Sequence, residues 1–295
     1  MVLVLLYLIN LFRRGTFDLV YSTNHLMHPL AAFVSVIFRH PHITYVGYSP
    51  SIRDNVSLID PLVLIERLNF RLFMGDRSLC QTPSVYKKLS RISNAKIKRI
   101  DGSVDADAIR STINTESNQN LRMDEDRVEM IFVGRLVEIK NPAKIPSIVA
   151  QLPPAYSLLM IGDGPQRPAV ENAIREANVE TRVDIAGQLS HEQTLRAIHD
   201  ADLLLLPSKA DAYPAVVFEA LSLNTPVLGT PVGILPSLDH PLLKTTKLEN
   251  FSPIILEHEW NSKNGINEQD LDRFSVTRFS NEVRSELLNT VCDNQ

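Results

Sequence analysis

Two carboxylates eight positions apart, Asp211 and Glu219, flank a Tyr-Pro turn in PSKADAYPAVVFEALSLNTPVLGTPVG, residues 207–233. That spacing sets one acid in a loop and the other on the helix behind it, because Pro214 suits a first helical turn, where its missing N–H costs nothing. A helix over Ala215–Leu221 then brings its N-terminus beside Asp211, a natural seat for an anion. Two cations stand upstream in GRLVEIKN, residues 134–141. Arg135 and Lys140 follow a strand that ends at Gly134, and Asn141-Pro142 open the next helix. A guanidinium fork, an ammonium point charge and helix-end dipoles together are what a diphosphate needs. On residue types alone the plainer readings stay open: a solvated surface pair for the cations, a helix-surface acid for Glu219 and a turn-forming residue for Asp211.

The elements that must position these side chains follow from periodicity. From residue 128 the pattern alternates: strand Val128–Val133, helix Pro142–Leu152, strand Ser157–Ile161, helix Pro165–Ala177, strand Arg182–Ala186, helix His191–Ala201, strand Asp202–Leu206. The acidic segment then supplies a loop, a helix and a strand over Pro226–Gly229. Strands alternating with helices of about ten residues predict βαβ units on a parallel sheet, and in such sheets ligands bind at strand-to-helix loops. The first half reads the same way, more briefly: helix Val2–Arg13, strand Asp18–Tyr21, helix Pro29–Phe38, strand Ile43–Val46, helix Pro61–Phe73 and strand Ser78–Gln81. The polar run STINTESNQN, residues 111–120, reads as a linker. The fold class is therefore α/β with two Rossmann-like domains.

Together with IGDGP, residues 161–165, the two loops resemble the retaining nucleotide-sugar glycosyltransferases of the GT-B type, group one (family four), over about residues 128–236. That family carries a Gly-Arg-Leu-x-x-x-Lys-Asn loop, a Gly-Asp-Gly-Pro turn and a Glu-x7-Glu motif in this order. The resemblance implies transfer of a sugar from a nucleoside-diphosphate sugar to a glycan or lipid-linked acceptor entering between two domains. It places Arg135 and Lys140 at the donor diphosphate and Gly134 and Gly162 in the donor-binding site, with Gln188 and Leu189 of GQLS at the base. It further implies phosphate contacts from the Ala215, Val216 and Val217 amides and a ribose contact from Glu219. Asp211 takes the place of the first glutamate, one methylene shorter, so the catalytic assignment falls on Asp211, Arg135 and Lys140. No cofactor or metal is implied, because the cations neutralise the departing nucleotide.

The resemblance also implies the domain plan: a partial acceptor domain over 1–118, a donor domain over 119–270, and helices at 271–295 that cross back. IDGSVDADAI, residues 100–109, resembles the segment that closes the family's first domain, with Asp101, Gly102 and Ser103 in place of Pro, Asn and Gly. At the end of the strand Ile43–Val46, where many members have a histidine, this chain has Gly47 beside Tyr48. That departure favours a rival reading, a catalytically impaired relative that acts as a nucleotide-binding or scaffold protein. An epimerase or phosphorylase of the same fold is a third reading, since fold does not fix chemistry.

Composition bounds the rest. The chain has 295 residues, 44% of them hydrophobic, enough for two packed cores. Its run MVLVLLYLINLF is about half the roughly 20 apolar residues of a spanning helix, and it lacks the basic start of a signal peptide. Cys80 and Cys292 are too few for a disulfide framework, which fits a reducing, cytoplasmic setting. His25, His28, His40 and His42 crowd one region without the cysteines or carboxylates of a zinc site. Residues 1–118 hold 14 Lys and Arg against 9 Asp and Glu; the remainder holds 16 against 25. A basic first half suits an anionic membrane surface, and so a peripheral location at the inner face of the membrane. An uneven surface with no partner explains it equally well. Nucleic acid is not an expected partner.

Overall fold

The computed structural model describes residues 18–23, 27–47, 61–114, 127–257, 260 and 274–293. The expected helix Val2–Arg13, His25, Tyr48 and much of the linker lie outside them. The chain divides into two units, residues 1–103 with 276–295, and residues 104–275.

In the first unit β1 (Val20–Ser22), α1 (His28–Phe38), β2 (His42–Val46), α2 (Pro61–Leu72), β3 (Arg77–Cys80), α3 (Pro83–Leu89) and β4 (Lys96–Arg99) follow in turn. The four strands form a parallel sheet in the order β1-β2-β3-β4. Sequence reading misses α3 and β4. Thr82 supplies the missing start signal for α3, since its side chain accepts the Val85 N–H at 3.2 Å and Pro83 follows it. Strand β4, KIKR, is short and mostly polar at a sheet edge, so it lacks the apolar run that marks a strand.

Inside this unit Ser22 Oγ lies 2.9 Å from His28 Nδ1 and 2.8 Å from His42 Nε2, with all three side chains buried. His42 Nδ1 has no hydrogen-bond partner among the described residues. A proton on Nε2 donated to Ser22, whose own proton goes to His28, therefore leaves no buried N–H of His42 orphaned. Burial lowers the His42 pKa to about 4, with Asp76 opposing the shift. Above the unfolded value of about 6.5 the ring is neutral in both states and contributes no pH dependence. As pH falls from there towards 4, only the unfolded chain takes up the proton, and native stability is lost. Between about pH 7 and pH 5 this site alone is expected to cost the first unit about 2 kcal/mol. Urea unfolding followed across that range in His42→Gln should show a flatter profile; an unchanged slope would contradict the assignment.

The second unit begins with α4 (Ala106–Asn114), so the unit boundary at Ser103/Val104 precedes position 118. Residues 111–114 of the expected linker continue this helix, and Ile109 is buried in the core that holds Val217 and Leu221. Then come β5 (Val128–Val133), α5 (Ile145–Val149), β6 (Tyr156–Ile161), α6 (Arg167–Ala177), β7 (Val183–Gly187), α7 (His191–Asp200), β8 (Leu203–Leu206), α8 (Ala215–Ser222), β9 (Val227–Gly229), β10 (Leu243–Thr245) and α9 (Phe251–Glu257). The expected helix Pro142–Leu152 is broken: a 3-10 turn at Pro142–Lys144 precedes the five-residue α5, whose first turn contains Pro146.

The sheet is parallel throughout, ordered β10-β9-β8-β5-β6-β7. The run LLLL of β8 is buried on both faces, with Leu204 and Leu206 in one core and Leu203 and Leu205 in the other. Strand order reverses between β5 and β8, the point at which sheets of this kind bind ligands beyond the carboxyl ends of their strands. The last helix, α10 (Val276–Cys292), belongs to the first unit, where Phe279, Val283 and Leu287 pack on Ile43, Leu79 and Ile100. Arg77 fixes it further through Glu286 at 2.9 Å and Asp293 at 2.6 Å. No helix among the described residues is long and apolar enough to cross a membrane.

Candidate functional site

The loop after β5, residues 134–141, and the loop after β8, residues 207–214, leave the sheet at this switch point and are tied to each other. The Lys209 N–H donates to Ile139 C=O at 2.8 Å, Asn141 Nδ2 donates to Pro207 C=O at 3.3 Å, and Lys209 Nζ pairs with Glu138 at 3.0 Å. Lys140 Nζ donates to Asp211 Oδ2, joining two of the predicted catalytic residues in an ion pair. Both side chains are largely withdrawn from solvent, at 26% and 15% exposed, so the contact is not a loose surface pair. Arg135 is exposed and forms no ion pair among the described residues.

Backbone geometry makes this arrangement possible. Asn141 adopts the left-handed conformation, φ 57°, which lets the chain reverse directly after Lys140. Gly162 lies at φ 135°, and a β-carbon there would come within 2.0 Å of the Gly134 carbonyl oxygen. The glycine-rich turn after β6 thus lies against the GRLVEIKN loop, and the Leu136 N–H donates to Asp163 C=O at 3.0 Å. Gly233, at φ 56°, does the same for the other loop: a β-carbon would meet the Asp211 carbonyl oxygen at 2.0 Å. Thr230 Oγ1 donates to Ser208 C=O at 2.5 Å and secures the loop's start. Thr230 and Gly233 were not anticipated from the sequence; the glycine shortly after a strand was the available signal.

Pro214 is the N-cap of α8, one position outside the expected first turn. The Val217 N–H donates to Pro214 C=O at 3.0 Å, so of the three predicted phosphate-binding amides this one is engaged within the turn, whereas Ala215 and Val216 head the helix. Behind them Tyr213 stacks on Phe218, centroids 4.3 Å apart, which fixes the turn on the helix. Glu219 is half-buried on α8; burial raises its pKa, and His191 at the start of α7 opposes the rise. His191 was not anticipated, although it directly follows the GQLS segment. Gln188 and Leu189 lie exposed between β7 and α7 and make no hydrogen bond to either loop among the described residues.

Residues 113–238 match the family model described as glycosyl transferases group 1. This segment is a group 1 glycosyl transferase domain. It contains both loops, the glycine-rich turn and α8. Among curated proteins, the 2-deoxystreptamine N-acetyl-D-glucosaminyltransferase of Niallia circulans is 31% identical over 107 residues, 35% of this chain and 28% of that protein. The D-inositol 3-phosphate glycosyltransferase of Mycobacterium sp. strain KMS is 29% identical over 169 residues, 55% of this chain and 38% of that protein. The chain thus spans well under half of these relatives. The crystal structure of Anabaena HepE in complex with UDP shares the fold, with a TM-score of 0.76 over 96% of this chain and 82% of that one, at 18% identity. The GT-B plan, an α/β fold with two parallel-sheet Rossmann-like units, is that of the group 1 glycosyl transferases.

Proposed function

We propose that the chain transfers a sugar, with retention of configuration, from a nucleoside-diphosphate sugar to a glycan or lipid-linked acceptor. The observation that carries this reading is the Lys140–Asp211 ion pair between the loops after β5 and β8, which leave the sheet of the second unit at its switch point. Arg135 and Lys140 neutralise the diphosphate as the glycosidic bond breaks, which supplies the charge stabilisation a metal gives elsewhere. Glu219 accepts hydrogen bonds from the ribose hydroxyls, and Gln188 and Leu189 border the base. Asp211 holds Lys140 in place before donor arrives and stands near the sugar afterwards. Anabaena HepE has been crystallised with UDP-glucose, so uridine is the first base to try.

The test is calorimetric titration with UDP, GDP and ADP, followed by mass detection of sugar released from the matching nucleotide sugar. One nucleotide should bind at least tenfold more tightly than the other two, with slow release of its sugar. No binding to folded protein would overturn the donor site. A second reading, a nucleotide-binding protein without transfer, rests on Gly47: a β-carbon there would lie 3.0 Å from the Tyr45 ring and 3.4 Å from Gln81, so the place where relatives carry a histidine is tightly occupied. Nucleotide binding with no sugar released or transferred would favour that reading.

A further inference from the structure

The outer face of α2 is unusual for a helix packed on a sheet. Its inner side buries Phe70 against Met74, Cys80 and Leu89, yet Leu64, Leu68 and Leu72 line the opposite side at helical spacing, 49%, 46% and 62% exposed. Arg67 and Arg71 rise from the same face. Across a groove of about 560 Å³ they meet Lys88 at the end of α3 and Arg91 in the turn after it. These four cations form no ion pair among the described residues. The one acid of α2, Glu66, has its Oε2 buried. Residues 77–100 carry seven Lys and Arg and no Asp or Glu at all. Four cations, Arg67, Arg71, Lys88 and Arg91, thus stand beside a solvent-facing leucine stripe.

We propose that this groove and the α2 face dock on an anionic phospholipid bilayer, with the four cations on headgroup phosphates and the leucines entering the acyl boundary. Charge alone would suit any polyanion. The leucine stripe selects the bilayer, because nucleic acid or free phosphate offers nothing to cover Leu64, Leu68 and Leu72, whereas a basic amphipathic helix at a membrane interface buries such a face. Each cation near an anionic surface contributes comparably to binding, and salt screens the contribution. The docking face draws only on the first unit and stands whether or not the donor site is correct.

The test is flotation of the full chain with vesicles of phosphatidylcholine alone and with a third of it replaced by phosphatidylglycerol. Binding is expected only to the anionic vesicles and should weaken as salt rises. Arg71→Glu/Arg91→Glu should reduce it roughly thirtyfold or more, whereas the control Lys98→Glu/Lys247→Glu, which reverses two exposed cations elsewhere, should cost far less. An independent readout is a polarity-sensitive fluorophore on Leu68→Cys in a Cys292→Ser background, which should shift blue with anionic vesicles only. Equal loss in both double variants, no shift at position 68, or a dimer in sedimentation that hides the face without vesicle binding would each overturn the proposal.

Discussion

Lys140→Ala is expected to weaken nucleoside-diphosphate binding ten- to hundredfold, about 1.5–3 kcal/mol, the usual worth of a charged hydrogen bond. Thermal unfolding should move little. The two loops stay joined without this side chain, since the Lys209 N–H still reaches Ile139 C=O and Asn141 still reaches Pro207 C=O. The upper end of the range is the better expectation, because the variant strips Asp211 of its partner. An unpaired carboxylate then stands beside a ligand of the same charge. The companion Asp211→Asn separates the two roles. It keeps the shape of the loop while freeing Lys140, so binding of the nucleotide should hold or tighten as sugar release falls. Calorimetry on both variants, with release measured alongside, decides the matter. Unchanged nucleotide affinity in a folded Lys140→Ala protein would sink the diphosphate assignment. Equal loss of binding in both variants would instead mark the pair as a clasp between loops.

How far such a site could be read in advance depended on what each residue answers to. The alternation of apolar runs and helical periods in residues 128–229 is dictated by burial of both sheet faces, and β5 matches its expected bounds, Val128–Val133. Helix α8 appears within a residue of its expected end, since Pro214 and the apolar face of Val217, Phe218 and Leu221 signal it locally. Signals failed where tertiary contact decides. Helix α4 hides in a segment that looks like linker because its buried side chain Ile109 packs on elements more than eighty residues further on. In the site, residue types singled out Arg135, Lys140, Asp211 and Glu219, but nothing in the order of residues says that Lys140 and Asp211 touch. That contact depends on β5 and β8 being neighbours, a fact of sheet order. The burial that raises Glu219's pKa, and the nearness of His191, have the same non-local origin.

Gly162→Ala is expected to be among the most damaging single-carbon changes in the second unit. Its added β-carbon would lie 2.0 Å from Gly134 O and 2.9 Å from Gly134 C, both backbone atoms with no rotamer to escape into. The native φ of 135° is itself closed to alanine without strain. Neither segment can retreat cheaply, because the Gly162 N–H donates to Gly187 C=O at 2.7 Å and the Gly134 N–H to Ile161 C=O at 3.0 Å. A loss of about 3 kcal/mol or more follows, or roughly 6–12 °C in Tm for a unit of this size. Where the protein still folds, relief comes by displacing the loop that carries Arg135 and Lys140, so nucleotide binding should fall with stability. Pro165→Ala, an exposed change three residues on, should leave both nearly intact. Scanning calorimetry with and without nucleotide separates the effects. A Gly162→Ala protein of native Tm would mean that the glycine-rich turn does not press on the loop after β5, and the reason for a glycine at that position would have to be sought in the ligand instead.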